Sequence, residues 1–394
     1  MGAPGRGSED LQGEVLRSLD RPLGPKRLED FRRARSAAIA ISDETRPVPN
    51  RVILPPLLER LESMGIAASA IQILIAPGLH RPTPEGRLSK LLPAEILKRY
   101  RVTVHDAKQI DLTFLGNTSR GTPVFVNPLS HRAELRLVVG LIDPHQFVGY
   151  TGGAKGAAIG LAGSQTIEAN HGMLFDRRAV TGAIRENPVR QDIEEIGRVM
   201  GVHWVVSVIL DEMNGLTGIF SGHPVQVEQA GTECCRAIYE ARVSKQYDLI
   251  IASPGGYPKD INVYQAQKGL AHVTPFVRRD GDILFFAECP DGHGEDLFYE
   301  RMKQHETPAG VVNDFRKAKF EMGGHKAFLW CRSLIRARVH LYSAIDDRLS
   351  RTLMVWPVKT VRETLERIRS RYDHPPKIAV VPKANSTYMK AQGS

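Results

Sequence analysis

The chain has 394 residues, of which 42% are hydrophobic and 25% charged, the proportions of a water-soluble globular protein long enough for two domains of about 150 residues each. No apolar run approaches the roughly 20 residues that span a bilayer, and the polar start Met1-Gly-Ala-Pro-Gly-Arg6 has no apolar segment like that of a secretory signal, so a cytoplasmic protein without a membrane partner is expected. The net charge of +9 is spread along the chain, with no helix-turn-helix, zinc-finger or RNP-like pattern to organise it; this excludes nucleic acid as the expected partner and suits small anions and a phosphorylated cofactor.

Residues 1–34 read as an extension and a short lead-in helix. The strand candidate Ser36–Ser42 ends in Asp43-Glu-Thr-Arg-Pro47, and a helix follows with Val52, Ile53, Leu57, Leu58 and Leu61 on one stripe. The apolar run Ile71–Ala76 breaks at Pro77-Gly-Leu-His-Arg-Pro82. A helical segment near Pro93–Tyr100 leads into a strand that ends in His105-Asp106, and Leu135–Ile142 ends in Asp143-Pro-His145. Strand and helix alternate in the manner of an α/β fold with largely parallel sheets. Ligands of such sheets bind beyond the carboxyl ends of the strands, where four strands in succession deliver Asp, Arg or His.

After His145 comes Gln-Phe-Val-Gly-Tyr-Thr-Gly-Gly-Ala-Lys155, a glycine turn at the start of a helix. Gly149, Gly152 and Gly153 allow positive φ and close backbone approach. The spacing is neither a P-loop nor a dinucleotide fingerprint. Lys155 can act as a phosphate counter-charge or as a covalent attachment point; His145 and His171, in Asn170-His171, can be metal ligands or acid/base groups.

A strand near Val202–Leu210 and a helix over Val225–Val243 follow. The pattern then restarts at Tyr247–Ser253, so domains are expected at 1–245 and 246–382, with a tail at 383–394. A helix near Tyr264–Leu270 and strands at Asp282–Ala287 and Ile378–Val381 belong to the second domain. Cys234, Cys235, Cys289 and Cys331 lack a C-x-x-C spacing, and two adjacent cysteines on a helix diverge by about 100°, so neither a disulfide framework nor a thiolate cluster is expected.

Asp43-Glu-Thr-Arg-Pro, Gly78-Leu-His-Arg-Pro, His105-Asp-Ala, Pro144 through Lys155, Asn170-His171, Gly255-Gly-Tyr-Pro-Lys-Asp and Tyr264-Gln-Ala-Gln-Lys268 stand in an order and spacing that resembles the nickel-pincer-nucleotide-dependent lactate racemase family. The resemblance implies two α/β domains with the active site in the cleft between them. It implies a pyridinium-3,5-bisthiocarboxylic acid mononucleotide carrying nickel, attached covalently through Lys155, with His171 as a nickel ligand. Soft sulfur donors with imidazole suit nickel.

By the same resemblance His105 and His145 are the two acid/base histidines, and Asp106 is a candidate to orient His105. The implied reaction is racemisation or C2-epimerisation of a 2-hydroxy acid: the hydroxyl proton leaves to a histidine, the Cα hydride moves to the cofactor, and both return on the other face of a 2-oxo acid. Arg81 is expected at the substrate carboxylate. Gln265 and Lys268, one helical turn apart, are expected at the substrate, with His325 a candidate pocket wall or simply a helix-start residue. Thr45, Arg46, Gly152 and Gly153 are expected around the cofactor. His80 is left as structural or pocket-shaping. Proteins for cofactor synthesis and nickel insertion are the implied partners. A metal-dependent hydrolase or lyase ligated directly by His105, His145 and His171 is the alternative, as is a non-catalytic anion- or nucleotide-binding homologue.

Overall fold

A computed structural model describes residues 10–211, 214–243, 246–318, 320–321 and 323–391. The chain divides into two compact units, one ending at Ile238 and the other beginning at Tyr239.

The first unit opens with α1 (Leu11–Asp20), whose N-cap Asp10 accepts from the Gly13 N–H. Its elements then alternate: β1 (Ala37–Ser42), α2 (Asn50–Ser63), β2 (Ile71–Ala76), β3 (Arg101–Val104), β4 (Leu135–Leu141), β5 (Trp204–Leu210) and β6 (Leu216–Gly222). They form one sheet in the order β6-β5-β4-β1-β2-β3, parallel except for β6. One face carries Ile39, Ile41, Ile73, Ile75, Leu137, Val139, Val206 and Val208 against Val15 and Leu19 of α1 and Leu54, Leu57, Leu58 and Leu61 of α2. Burial of each such side chain stabilises by about 1.5–3 kcal/mol.

Strand alternation turns the smaller Ala38, Ala40 and Gly140 to the opposite face. There α3 (Lys155–Ala158) lies unusually near the sheet, because a Cβ on Gly156 would sit 2.5 Å from Val138. Only glycine permits that approach. Next come α4 (Ser164–Gly172), α5 (Pro188–Val199) and α6 (Pro224–Tyr239). Asn187 caps α5 by accepting from the Val189 and Arg190 N–H groups.

The second unit has a five-stranded parallel sheet of β7 (Tyr247–Ala252), β8 (Val277–Phe286), β9 (Ala337–Tyr342), β10 (Trp356–Pro357) and β11 (Ile378–Val381), in the order β10-β9-β8-β7-β11. Its helices include α7 (Val263–Val273), α8 (His325–Arg336) and α9 (Val361–Arg369). A fully buried carboxylate, Asp282 of β8, ties this unit together. It accepts from Arg338 at 3.0 and 2.8 Å, His340 at 2.8 Å, Arg371 at 2.8 Å and the Tyr372 hydroxyl at 2.8 Å. Burial pushes this carboxyl up, but those donors outweigh it and hold it well below the usual range.

Two expectations change. The helix expected to reach Val243 ends at Tyr239, and within the expected tail Tyr388–Ala391 pairs in parallel with Glu240–Val243. The second compact unit begins at Tyr239, seven residues before position 246. The four cysteines are free thiols, and among the described residues no helix is long and apolar enough to cross a membrane.

Candidate active site

β1 and β2 are neighbours, so the turns that leave them meet. Buried Asp43 receives the Thr45 hydroxyl at 2.6 Å and the Thr45 N–H at 3.2 Å on Oδ1. Its Oδ2 lies 2.9 Å from His80 Nδ1. A carboxylate only accepts, so the neutral His80 ring carries its proton on Nδ1 and its lone pair on Nε2. Burial pushes the Asp43 carboxyl up, but His80, Thr45 and Arg46 hold it below its ordinary value. Half-buried Arg46 donates back to Thr45, and Arg81 is exposed.

Beyond β4, Pro144–His145 and Gly149–Tyr150 form a two-residue antiparallel hairpin. The Val148 N–H donates to His145 Nδ1 at 3.3 Å, which places the proton of the neutral ring on Nε2. The hairpin leads to Gly152, at φ +91°, where a Cβ would lie 2.3 Å from Ile142, and to Gly153 at φ +59°. Arg190 of α5, only 1% exposed, reaches under this turn and donates to the carbonyls of Tyr150 and Gly152 at 3.3 Å each. It pairs with Glu194 and lies 3.7 Å from Glu228.

Lys155 opens α3 directly after the turn and is half-buried. Among the described residues it has no carboxylate within ion-pair reach. Burial first, then the positive charges of Arg46 and Arg190, push its ammonium down to about 7, with Asp43 opposing. A lysine so placed has a nucleophilic neutral fraction at neutral pH.

His171, on α4 and 6% exposed, is held by Asn170, whose Oδ1 lies 3.0 Å from His171 Nδ1. The Phe147 ring sits edge-on to both His145, at 4.7 Å, and His171, at 5.1 Å. These contacts bring both His145 and His171 against one aromatic ring, in the same unit as the turn that carries Lys155.

His105 has partners of its own. It is 0% exposed, its Nε2 is 2.9 Å from the Ala162 carbonyl and its Nδ1 is 3.0 Å from Asn127 Nδ2. Both ring nitrogens have partners, burial pushes its pKa down, and the ring links the end of β3 to the segment after α3. Asp106 is exposed and accepts from the Lys108 N–H, so it does not orient His105 by hydrogen bonding. The histidine at a strand end beside a carboxylate is His80.

In the second unit, half-buried Gln265 and Lys268 share a face of α7, capped by Asn262 through the Gln265 N–H. His325 is the first residue of α8, buried with its ring 5.4 Å from that of Phe320. Next to it, buried Lys326 donates to Tyr264 O and Gln267 Oε1 at 3.2 Å each, with Nζ 4.8 Å from the Tyr264 ring centroid. The sequence reading missed Lys326, Arg190 and the buried Asp192 of α5. A long charged residue inside an otherwise apolar or small-residue stretch was the signal for Lys326 only.

Residues 4–182 match the lactate racemase N-terminal domain and residues 243–388 the lactate racemase C-terminal domain. A lactate racemase of Thermoanaerobacterium thermosaccharolyticum is 30% identical over 384 residues, covering 95% of this chain and 90% of the relative. The chain belongs to the lactate racemase family. Another lactate racemase, from Lactiplantibacillus plantarum, is 29% identical over 387 residues, covering 96% of this chain and 91% of its own. The solved lactate racemase apoprotein of T. thermosaccharolyticum superimposes with a TM-score of 0.91 over 98% of this chain and 94% of that one, at 30% identity. A Thermotoga maritima protein shares the fold at a TM-score of 0.68 and 14% identity.

Proposed function

We propose that this member of the lactate racemase family racemises or C2-epimerises a small 2-hydroxy acid, using a nickel-pincer nucleotide held by Lys155 and His171. The observation that carries the reading is Lys155 itself, an amine with no carboxylate in ion-pair reach among the described residues, directly after a glycine turn that Arg190 braces. The residues fit such a group: an amine able to form a covalent link, one buried imidazole to ligate, and the cation Arg46 nearby for an anionic nucleotide. When bound, the group supplies an acceptor for the substrate Cα hydride.

The acid/base work falls to His80 and His145. His80 Nε2 carries the lone pair that takes the substrate hydroxyl proton, and Asp43 stabilises the imidazolium that results. His145 carries its proton on Nε2 and is suited to protonate the carbonyl oxygen on the opposite face. Each exchanges role when the other enantiomer binds. Thr45, Arg46, Gly152 and Gly153 are the proposed cofactor contacts, and Arg81 is the proposed partner of the substrate carboxylate. Proteins that make the cofactor and insert nickel are the implied partners.

A hydrolase or lyase with a metal ligated directly by His105, His145 and His171 is disfavoured. Both His105 nitrogens are engaged elsewhere, and among the described residues no three His, Cys, Asp or Glu side chains gather as a metal-binding group.

The test is intact-protein mass spectrometry with metal analysis on chain co-expressed with cofactor-synthesis proteins, followed by a screen of 2-hydroxy acid enantiomers. A covalent mass increment lost in Lys155→Ala, about one nickel per chain and loss of optical rotation in one substrate class are expected. Failure to load while a known lactate racemase loads in parallel would sink the proposal.

A further inference from the structure

Asp192 of α5 is 0% exposed, and among the described residues no cation lies within ion-pair distance of it. All its donors are neutral: the Thr118 hydroxyl at 2.6 Å on Oδ1, and the Thr122 hydroxyl at 2.9 Å and Asn170 Nδ2 at 2.8 Å on Oδ2. A buried carboxylate without a counter-charge is costly to desolvate. The third donor leads toward the site, because Asn170 adjoins His171.

An asparagine amide can be placed either way round, and its surroundings decide. Asn170 Nδ2 faces two groups that accept, the Asp192 carboxylate and the Val189 carbonyl at 3.1 Å. The NH2 end is therefore fixed toward α5, and the oxygen end points at His171 Nδ1 at 3.0 Å. An amide oxygen cannot donate, so Nδ1 must carry the imidazole proton, and the lone pair then resides on Nε2. From these contacts we infer that Asp192, acting through Asn170, is a positioning residue that fixes His171 as its Nδ1–H tautomer and aims the Nε2 lone pair for a metal.

This inference deepens the proposed function and rests on it for the metal alone; the tautomer follows from contacts that exist without any cofactor. Orientation of a ligating imidazole by a hydrogen bond to its far nitrogen is a general requirement of metal sites. Here the anion acts at one remove. The neutral amide passes on direction without placing a second negative charge against the ring.

The experiment is a long-range proton–nitrogen correlation spectrum of the apo chain labelled with 15N-histidine, with the His171 signals assigned by their loss in His171→Gln. The wild type is expected to show the Nδ1–H form. Asn170→Leu removes the acceptor and should return the ring to the Nε2–H form that free imidazoles favour; Asp192→Asn should give a mixture. An Nε2–H wild type overturns the inference, whether or not the variants fold. So does an Asp192→Asn spectrum with the His171 tautomer unchanged while the remaining histidines confirm a native fold. In co-expressed material, Asp192→Asn should bind nickel about 10–100-fold more weakly. A wild type with the Nδ1–H form that takes up no nickel overturns the proposed function and leaves the tautomer assignment supported.

Discussion

His80 Nδ1 and Asp43 Oδ2, 2.9 Å apart, join the turns after two neighbouring parallel strands. Each residue fixes the other: the carboxylate selects the ring's tautomer, and the ring keeps the buried carboxylate charged. His105, which directly follows the next strand, has partners on both ring nitrogens, the Ala162 carbonyl and Asn127. Substitution should therefore separate the two histidines. His80→Gln is expected to cut racemisation about 10²–10⁴-fold with little change in melting temperature. His105→Gln is expected to cost about 1–3 kcal/mol of stability by leaving buried partners unmet. Loss of turnover in folded His105→Gln, with His80→Gln active, would reverse the assignment.

Asp43→Asn keeps the shape and removes the charge. Its folded-state pKa is depressed, so its contribution to stability is present above the unfolded value near 3.9 and is lost as pH falls through the folded value. Wild type minus Asp43→Asn in urea midpoint should thus be positive and flat at neutral pH and shrink below about pH 4. Turnover of the variant should fall throughout, because the His80 imidazolium loses its partner.

Lys155 runs the other way. With a folded-state pKa near 7, the unfolded chain binds more protons between that value and about 10.4, so stability should rise with pH across that window. Lys155→Met should be more stable than wild type at pH 6, an advantage that fades toward pH 10. In the apo protein, trace acetylation followed by peptide mass spectrometry should show Lys155 reacting with a midpoint near pH 7. A Lys155 profile that coincides with those of surface lysines would remove the basis for an activated amine.

Asp282→Asn should destabilise the second unit by about 3–5 kcal/mol, because Arg338, Arg371 and His340 would share a buried site without its anion. Hydrogen exchange should report the loss in β8 and β9 and leave β1, β2 and β4 of the first unit protected. A uniform change across both units would contradict this local role.

The parallel sheets were legible because their strands are short apolar runs closed by Pro, Gly or Asp, and the site edge was legible because polar residues follow those runs. The glycine turn, Lys155 and His171 were readable for the same reason. The partners of His105 were not legible, because sequence reports that a histidine ends a strand, but not which way the ring turns. That is decided by Asn127 and by Ala162, 57 residues away. Arg190 and Asp192 look like ordinary helix-surface charges in the run Pro-Val-Arg-Gln-Asp-Ile-Glu-Glu. Only the packing of α5 against the glycine turn and α4 buries them. The strand at Glu240–Val243 was hidden because its partner lies nearly 150 residues later.

That late pairing also changes what the last residues do. By joining Tyr388–Ala391 to Glu240–Val243, the second unit receives its chain and returns it side by side, like a cassette with entry and exit at one seam. Trimming the chain at 383 as though a loose tail began there would remove half of the seam.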